Sequence, residues 1–391
     1  MDILELDKRY IAGTYKRFPV CIAYGKGSLL YGEDGKEYID MGSGIGVTAF
    51  GHCDGIWNDA VKAQLDKVSH TSNLYFTEPC AKLAEAMCLK TGMKKVFFCN
   101  SGAEANECAI KAARKYAAVK KGEKCFTVAT LNNSFHGRTL TTLAATGQEH
   151  YHELYRPLTP GFVSVDANDI DSLRRLAETV PLAAVMIECI QGEGGVIPLD
   201  AAYVRELASF CAEKDILLIT DEVQTGNGRT GALYAYMNYG ITPDIVTTAK
   251  GLGGGLPIGA ALFGEKVENP FDFGDHGSTF GGNPVACAGA LSVFDRLVPK
   301  LLESVKSKSR FVFSELSGAR GVESVTGMGL MIGIKTVRPA ADIVRECMEN
   351  GVLCLTAKDK VRLLPALNIP DELLEKAVKV IKTRCAKEIS V

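Results

Sequence analysis

A lysine and an aspartate, each at the end of an apolar run, are the residues of this chain best placed to do chemistry. Lys250 closes the run 245–249 (IVTTA), and the Gly-rich stretch 251–259 (GLGGGLPIG) follows at once. Asp221 ends a second run, ILLITD over 216–221. Both runs have the length and β-branched content of buried parallel strands. In open α/β sheets, ligands sit beyond the carboxyl ends of the strands. A lysine placed there can form a Schiff base with pyridoxal 5'-phosphate, and an acid can hold the protonated pyridine nitrogen. Such a lysine needs a lowered pKa to act as nucleophile and proton carrier. Taken singly, a strand-end lysine or an Asp-Glu pair is more often solvated. Asp221 continues a buried strand, however, so its charge needs a partner. The glycines after Lys250 let the backbone approach a ligand closely.

Other segments supply what such a cofactor requires. Residues 100–106 (NSGAEAN) follow a strand-like run and open a helix-like one. Free N–H groups at a helix start, with the Ser101 hydroxyl and the close-approach Gly102, form an anion seat. Alone, Ser101 reads as a plain helix cap; beside Asp221 and Lys250, a phosphate seat is the better reading. Gln224 is placed to reach a ring hydroxyl. In 135–139 (FHGRT), Phe135 offers a face for a planar ring and Arg138 a fork for a carboxylate; a core Phe and a surface Arg read equally well there. Glu193 lies in a Gly-rich loop (QGEGG). Arg362 sits in an apolar run (VRLLP), where an arginine calls for a carboxylate. The loop 276–284 (HGSTFGGNP) is a further candidate phosphate donor, or an ordinary surface loop.

The elements that position these residues read as a layered α/β chain. Strand-like runs at 95–99, 125–129, 183–190, 216–221, 245–249 and 260–263 alternate with amphipathic stretches such as 104–116 and 201–213. That rhythm predicts a large domain with a mainly parallel sheet. Short strands at 322–325, 331–335 and 361–365 and a closing helix at 371–387 predict a smaller α+β domain. We therefore expect an N-terminal arm and part of the small domain in 1–50, a large domain in 51–280, and the C-terminal small domain in 281–391.

Composition bounds the remaining classes. The 391 residues carry 44 basic against 46 acidic side chains and are 47% hydrophobic, so nothing points to nucleic acid or a membrane surface. The start, MDILELDKRY, lacks the apolar core of a signal peptide. Thirteen scattered cysteines, without a CxxC pair or a zinc-like spacing, predict reduced thiols, a cytoplasmic protein and no metal site. The P-loop pattern G-x-x-x-x-G-K-[ST] and the G-x-S-x-G elbow are absent, and 251–255 fails the dinucleotide fingerprint at its last glycine.

Together these motifs, with 14–19 (TYKRFP) and 72–75 (SNLY), resemble the class III aminotransferases of the fold type I pyridoxal-phosphate enzymes, over nearly the whole chain. Within that class the resemblance is to the branch acting on N-acetylornithine. It implies Lys250 as the Schiff-base lysine and Asp221 as pyridinium partner. It implies Gln224 on the ring oxygen, Phe135 stacked on the ring, and Ser101, Gly102 and Ala103 around the phosphate. Thr279 is implied as a phosphate ligand donated across a homodimer with shared active sites. Arg138 would hold the donor's remote carboxylate, and Tyr15 would lie near the substrate. Arg362 would bind the α-carboxylate of glutamate, with Glu193 neutralising it when the other substrate is bound. The implied reaction passes the terminal amine of N2-acetyl-L-ornithine to 2-oxoglutarate, in arginine biosynthesis. Succinylornithine, ornithine or 4-aminobutyrate as donor, or an aminomutase reaction, remain alternatives. Two positions depart from the class: His52-Cys53-Asp54-Gly55 replaces a His-x-His-Pro turn, and Ile45 stands where ornithine-specific members tend to carry tyrosine. The second departure weighs against free ornithine.

Overall fold

The computed structural model describes residues 3–387. Its centre is a seven-stranded sheet in the spatial order Lys95–Cys99, Gly259–Phe263, Ile245–Thr248, Leu217–Asp221, Leu182–Ile187, Thr127–Leu131, Phe162–Val165. The last five of these run parallel to one another, and Gly259–Phe263 lies antiparallel to both its neighbours. The buried strands are apolar on both faces, as helices on both sides require: every residue of Leu182–Ile187 and Leu217–Asp221 is buried. The helix Gly102–Lys121 covers one face through an alanine-rich stripe that includes Ala105, Ala109, Ala112 and Ala113.

Register sets the geometry of the site. Asp221 pairs with Thr247 across the parallel ladder, so the aspartate and the segment entering Lys250 emerge side by side at the same sheet edge. Lys250 itself has a left-handed backbone, φ 42°, directly after the strand. That conformation is costly for a non-glycine residue and is held by its surroundings.

Two smaller sheets flank the central one. Ile22–Lys26, Leu29–Gly32 and Glu37–Asp40 form an antiparallel sheet that Val352–Leu353 joins in parallel. Val322–Met328, Met331–Thr336, Lys360–Leu363 and Leu355–Ala357 form the other. The turn at 52–55 is tight: Cys53 has φ 52°, His52 Nε2 lies 2.8 Å from Asp40 Oδ2, and Asp54 caps the helix Gly55–Leu65.

Several boundaries differ from the sequence expectation, for physical reasons. The strand expected at 125–129 begins at Thr127, because Cys125 N closes a turn onto Gly122 O (3.0 Å). The run 183–190 stops at Ile187, where Glu188 turns its carboxylate into the interior. The run 361–365 ends at Leu363, because Leu364 N leaves the ladder to bond Met41 O (2.7 Å). The strand Phe162–Val165 and the N-terminal strands were not anticipated.

Candidate active site

A cavity of about 470 Å³ opens at the carboxyl edge of the parallel strands. Ser101, Gly102, Ala103, Phe135, Arg138, Asp221, Gln224 and Lys250 all line it, from four separate stretches of sequence. The helix Gly102–Lys121 points its N-terminus into this space. Ser101 is its cap: Oγ accepts from Glu104 N (3.2 Å), and Glu104 returns a carboxylate oxygen to Asn100 N (2.9 Å). This reciprocal box satisfies those donors. The amides of Gly102 and Ala103 make no hydrogen bond among the described residues, so they remain for an anion. Gly102 is required for close packing: a Cβ there would stand 2.6 Å from a Val223 methyl.

Asp221 is 4% exposed and is fixed by three donors. Asn106 Nδ2 and His136 Nδ1 each lie 2.8 Å from Oδ2, and Val223 N donates to Oδ1 (3.0 Å). Asn106 is itself held by Thr247 Oγ1 (2.6 Å) and by the His136 carbonyl (2.7 Å). The neighbouring Glu222 faces the other way, as alternation along an extended chain requires. It accepts from Thr225 Oγ1, Ala235 N and Tyr236 N. Burial pushes its carboxyl up to about 7, with those three hydrogen bonds opposing and Asp221 adding. The two adjacent acids therefore divide, Asp221 to the cavity and Glu222 to the core.

Lys250 Nζ has no hydrogen-bond partner among the described residues. Burial holds its amine below the ordinary lysine range; Arg362 adds to that, while Glu193, Asp221 and Glu188 oppose it. Glu188 was missed by the sequence reading. Its two oxygens accept from Phe135 N (2.9 Å) and Gly192 N (3.0 Å), tying the Phe135 loop to the Glu193 loop. Burial pushes its carboxyl up to about 7, with Asp221 adding and His136 and the two amides opposing. Asn106, His136 and Glu188 lay within quoted motifs or strands. The signal for Asn106 was a polar residue on an alanine-rich helix face.

Arg362 and Glu193 meet: Nη1 lies 2.6 Å from Oε1. Gln224 is held between them, donating to Glu193 Oε1 (3.2 Å) and accepting from Arg362 Nη1 (3.1 Å). Burial raises the Glu193 carboxyl, but Arg362, Lys250 and Gln224 outweigh it and hold the group below its usual value. Arg138 is exposed, with its guanidinium over the Phe135 and Tyr151 rings (5.9 and 5.7 Å) and no carboxylate partner among the described residues. Two expected residues lie elsewhere in the single chain. Tyr15 is 67% exposed in the N-terminal arm, and Thr279 is exposed beside a different cavity.

The aminotransferase class-III family matches residues 10–384. The chain belongs to the class III aminotransferases. This aminotransferase is 49% identical over 382 residues to an acetylornithine aminotransferase of Haemophilus ducreyi, covering 97% of each chain. Its structure matches that of an ornithine aminotransferase from Toxoplasma gondii with a TM-score of 0.94 at 31% identity, covering 98% of this chain and 94% of that one. It also matches an N-acetylornithine aminotransferase from Stenotrophomonas maltophilia with a TM-score of 0.85 at 33% identity, covering 98% of both.

Class III aminotransferases depend on pyridoxal 5'-phosphate, and the residues of this aminotransferase fit that group. The free amides at Gly102 and Ala103 suit a phosphate, and Asp221 suits a ring cation. Buried His136 Nε2 and Arg362 Nε have no partner among the described residues. The cavity volume lies within the range of small-molecule sites. No helix among the described residues is long and apolar enough to cross a membrane.

Proposed function

We propose that this enzyme moves the terminal amine of N2-acetyl-L-ornithine to 2-oxoglutarate, forming N-acetyl-L-glutamate 5-semialdehyde and L-glutamate, a step of arginine biosynthesis. The observation that carries this reading is the pair of guanidinium groups around one lysine. Arg138 has no carboxylate partner among the described residues and is open to a carboxylate far from the reacting amine. Arg362 is buried and masked by Glu193, as befits a group needed for only one of two substrates. A fixed, unpaired Arg362 would leave a buried charge whenever the donor was bound; a movable Glu193 removes that conflict.

When bound, the cofactor supplies the aldehyde that carries the amine and a cationic ring that takes up electron density. The chain does the rest. Lys250 Nζ would hold the cofactor and, once free, would carry the proton from the amine-bearing carbon of the donor. Asp221, fixed by Asn106 and His136, holds the ring nitrogen's proton. Gly102, Ala103 and Ser101 seat the phosphate, Phe135 covers the ring, and Gln224 reaches the ring oxygen. Tyr15 and Thr279 lie outside the Lys250 cavity of their own chain, which supports a homodimer in which Thr279 reaches the partner's phosphate. The exposed apolar residues of the arm and of 74–76 support the same assembly. Most of the cysteines are buried, as reduced thiols in a cytoplasmic enzyme would be. We also propose a large domain and a smaller one. The helix Pro284–Phe294 packs on Gly55–Leu65 and Glu78–Thr91, which supports drawing the boundary after it rather than at 280.

Backbone likeness to an ornithine aminotransferase does not separate donors, because one missing acyl group leaves the fold unchanged. Succinylornithine, ornithine and 4-aminobutyrate are therefore the competing donors, with an aminomutase behind them. The test is to mix the cofactor-loaded enzyme with N-acetylornithine alone and follow the visible absorbance. Rapid bleaching, reversed by 2-oxoglutarate, is the expected result. Bleaching only by another donor overturns the assigned donor; no need for 2-oxoglutarate favours the mutase. Lys250→Ala should bind the cofactor and not turn over.

A further inference from the structure

Thr279 sits at the crown of a turn that side chains from outside it hold in shape. Asn73 Nδ2 donates to the carbonyls of both Ser278 (2.9 Å) and Gly281 (2.8 Å), so one amide closes the two ends of the turn. Asn100 Nδ2 donates to Ser278 Oγ (3.1 Å), which also accepts from Gly281 N (3.0 Å). Gly281 lies against the strand Lys95–Cys99, where a Cβ would meet the Phe98 carbonyl oxygen at 2.1 Å. Both ends of the turn are thus pinned, while Thr279 and Phe280 between them are exposed. Thr279 forms no hydrogen bond among the described residues. The three residues after Asn73, namely Leu74, Tyr75 and Phe76, are also largely exposed. A rigid turn whose hydroxyl meets nothing among the described residues, next to an exposed apolar run, is built to face another surface.

We propose that Asn73 is a positioning residue for the partner's active site: its amide fixes the turn that carries Thr279 to the phosphate held by a second copy. The proposal rests on the dimeric reading given above. A free turn would have to be ordered each time the phosphate bound, and the clamp removes that cost beforehand.

Mixed dimers test it. Two differently tagged chains are co-expressed, one carrying Lys250→Ala, so that only one site can link the cofactor to a lysine. The visible absorbance of lysine-linked cofactor then reports that site alone as pyridoxal phosphate is titrated. With Asn73→Ala in the Lys250→Ala chain, the live site loses its clamp, and half-saturation should rise about tenfold for two lost hydrogen bonds. Asn73→Asp, which sets a carboxylate against the same carbonyls, should raise it further. With either variant in the other chain, half-saturation should stay as it was. Thr279→Ala in the same two arrangements is the reference. If Thr279→Ala acts across the dimer and Asn73→Ala does not, the clamp is overturned and the dimeric reading stands. If Thr279→Ala acts within its own chain, or the two chains do not co-purify, the dimeric reading falls and the clamp with it.

Discussion

Arg362 and Glu193 are 169 residues apart in sequence and touch, Nη1 to Oε1, at 2.6 Å. The arginine is 4% exposed and the glutamate 28%, so the less buried partner is the one free to leave. Arg362→Ala should slow the glutamate half-reaction by about 10- to 100-fold, the worth of a charged hydrogen bond. It should leave the N-acetylornithine half-reaction far less affected. Single-turnover rates with each substrate check this, and equal losses would refute a switch.

The same pair should tune Lys250. Glu193 favours the charged amine and Arg362 opposes it. Glu193→Gln should therefore shift the Lys250 titration to lower pH, and Arg362→Gln should shift it upward. Rates of Lys250 acylation against pH, in cofactor-free protein, measure this directly. No shift in either variant would mean that burial alone controls the amine.

Asn106 is fixed between Asp221, Thr247 and the His136 carbonyl. Asn106→Asp turns a donor at 2.8 Å from Asp221 into a second carboxylate. Burying the repulsion should cost about 3 kcal/mol or more, visible as a lower melting temperature. Cofactor retention should fall with it, and the melting loss should ease at acid pH as one carboxyl takes a proton. A melting curve unchanged at neutral pH would show that Asn106 does not carry the contact.

Gly259 passes behind the proposed phosphate seat. A Cβ there would stand 2.3 Å from the Ser101 carbonyl oxygen, which is backbone and cannot swing away. Gly259→Ala should destabilise the protein by about 1–3 kcal/mol and weaken cofactor binding by displacing the start of the helix Gly102–Lys121. Denaturant unfolding and cofactor titration together check both parts. Normal cofactor affinity in a destabilised variant would separate the seat from the packing.

The parts of the site that were legible in sequence are those with local causes. Strands showed as short β-branched runs, and Lys95–Cys99 and Ala201–Glu213 ran to their observed limits. The helix start at Ser101 showed through its cap. Boundaries slipped where a distant chain segment competed for a backbone group, as Met41 O does for Leu364 N. The N-terminal strand Ile22–Lys26 left no clear pattern because it is largely exposed and lacks a buried face to write one.

By itself, the sequence determined the chemistry on offer: a lysine and an acid at strand ends, an anion seat at a helix start, and an arginine, Arg362, out of character with its run. These are short-range facts, since backbone periodicity and glycine placement act over a few residues. Only the tertiary structure decided which groups meet. It set Asn106 and His136 on Asp221, gave Glu188 the amides of two loops, and joined Gln224 to the Arg362–Glu193 pair. It also kept Tyr15 and Thr279 out of their own chain's cavity. Such partnerships depend on packing between segments far apart in the chain, and no local pattern encodes a distance across a fold.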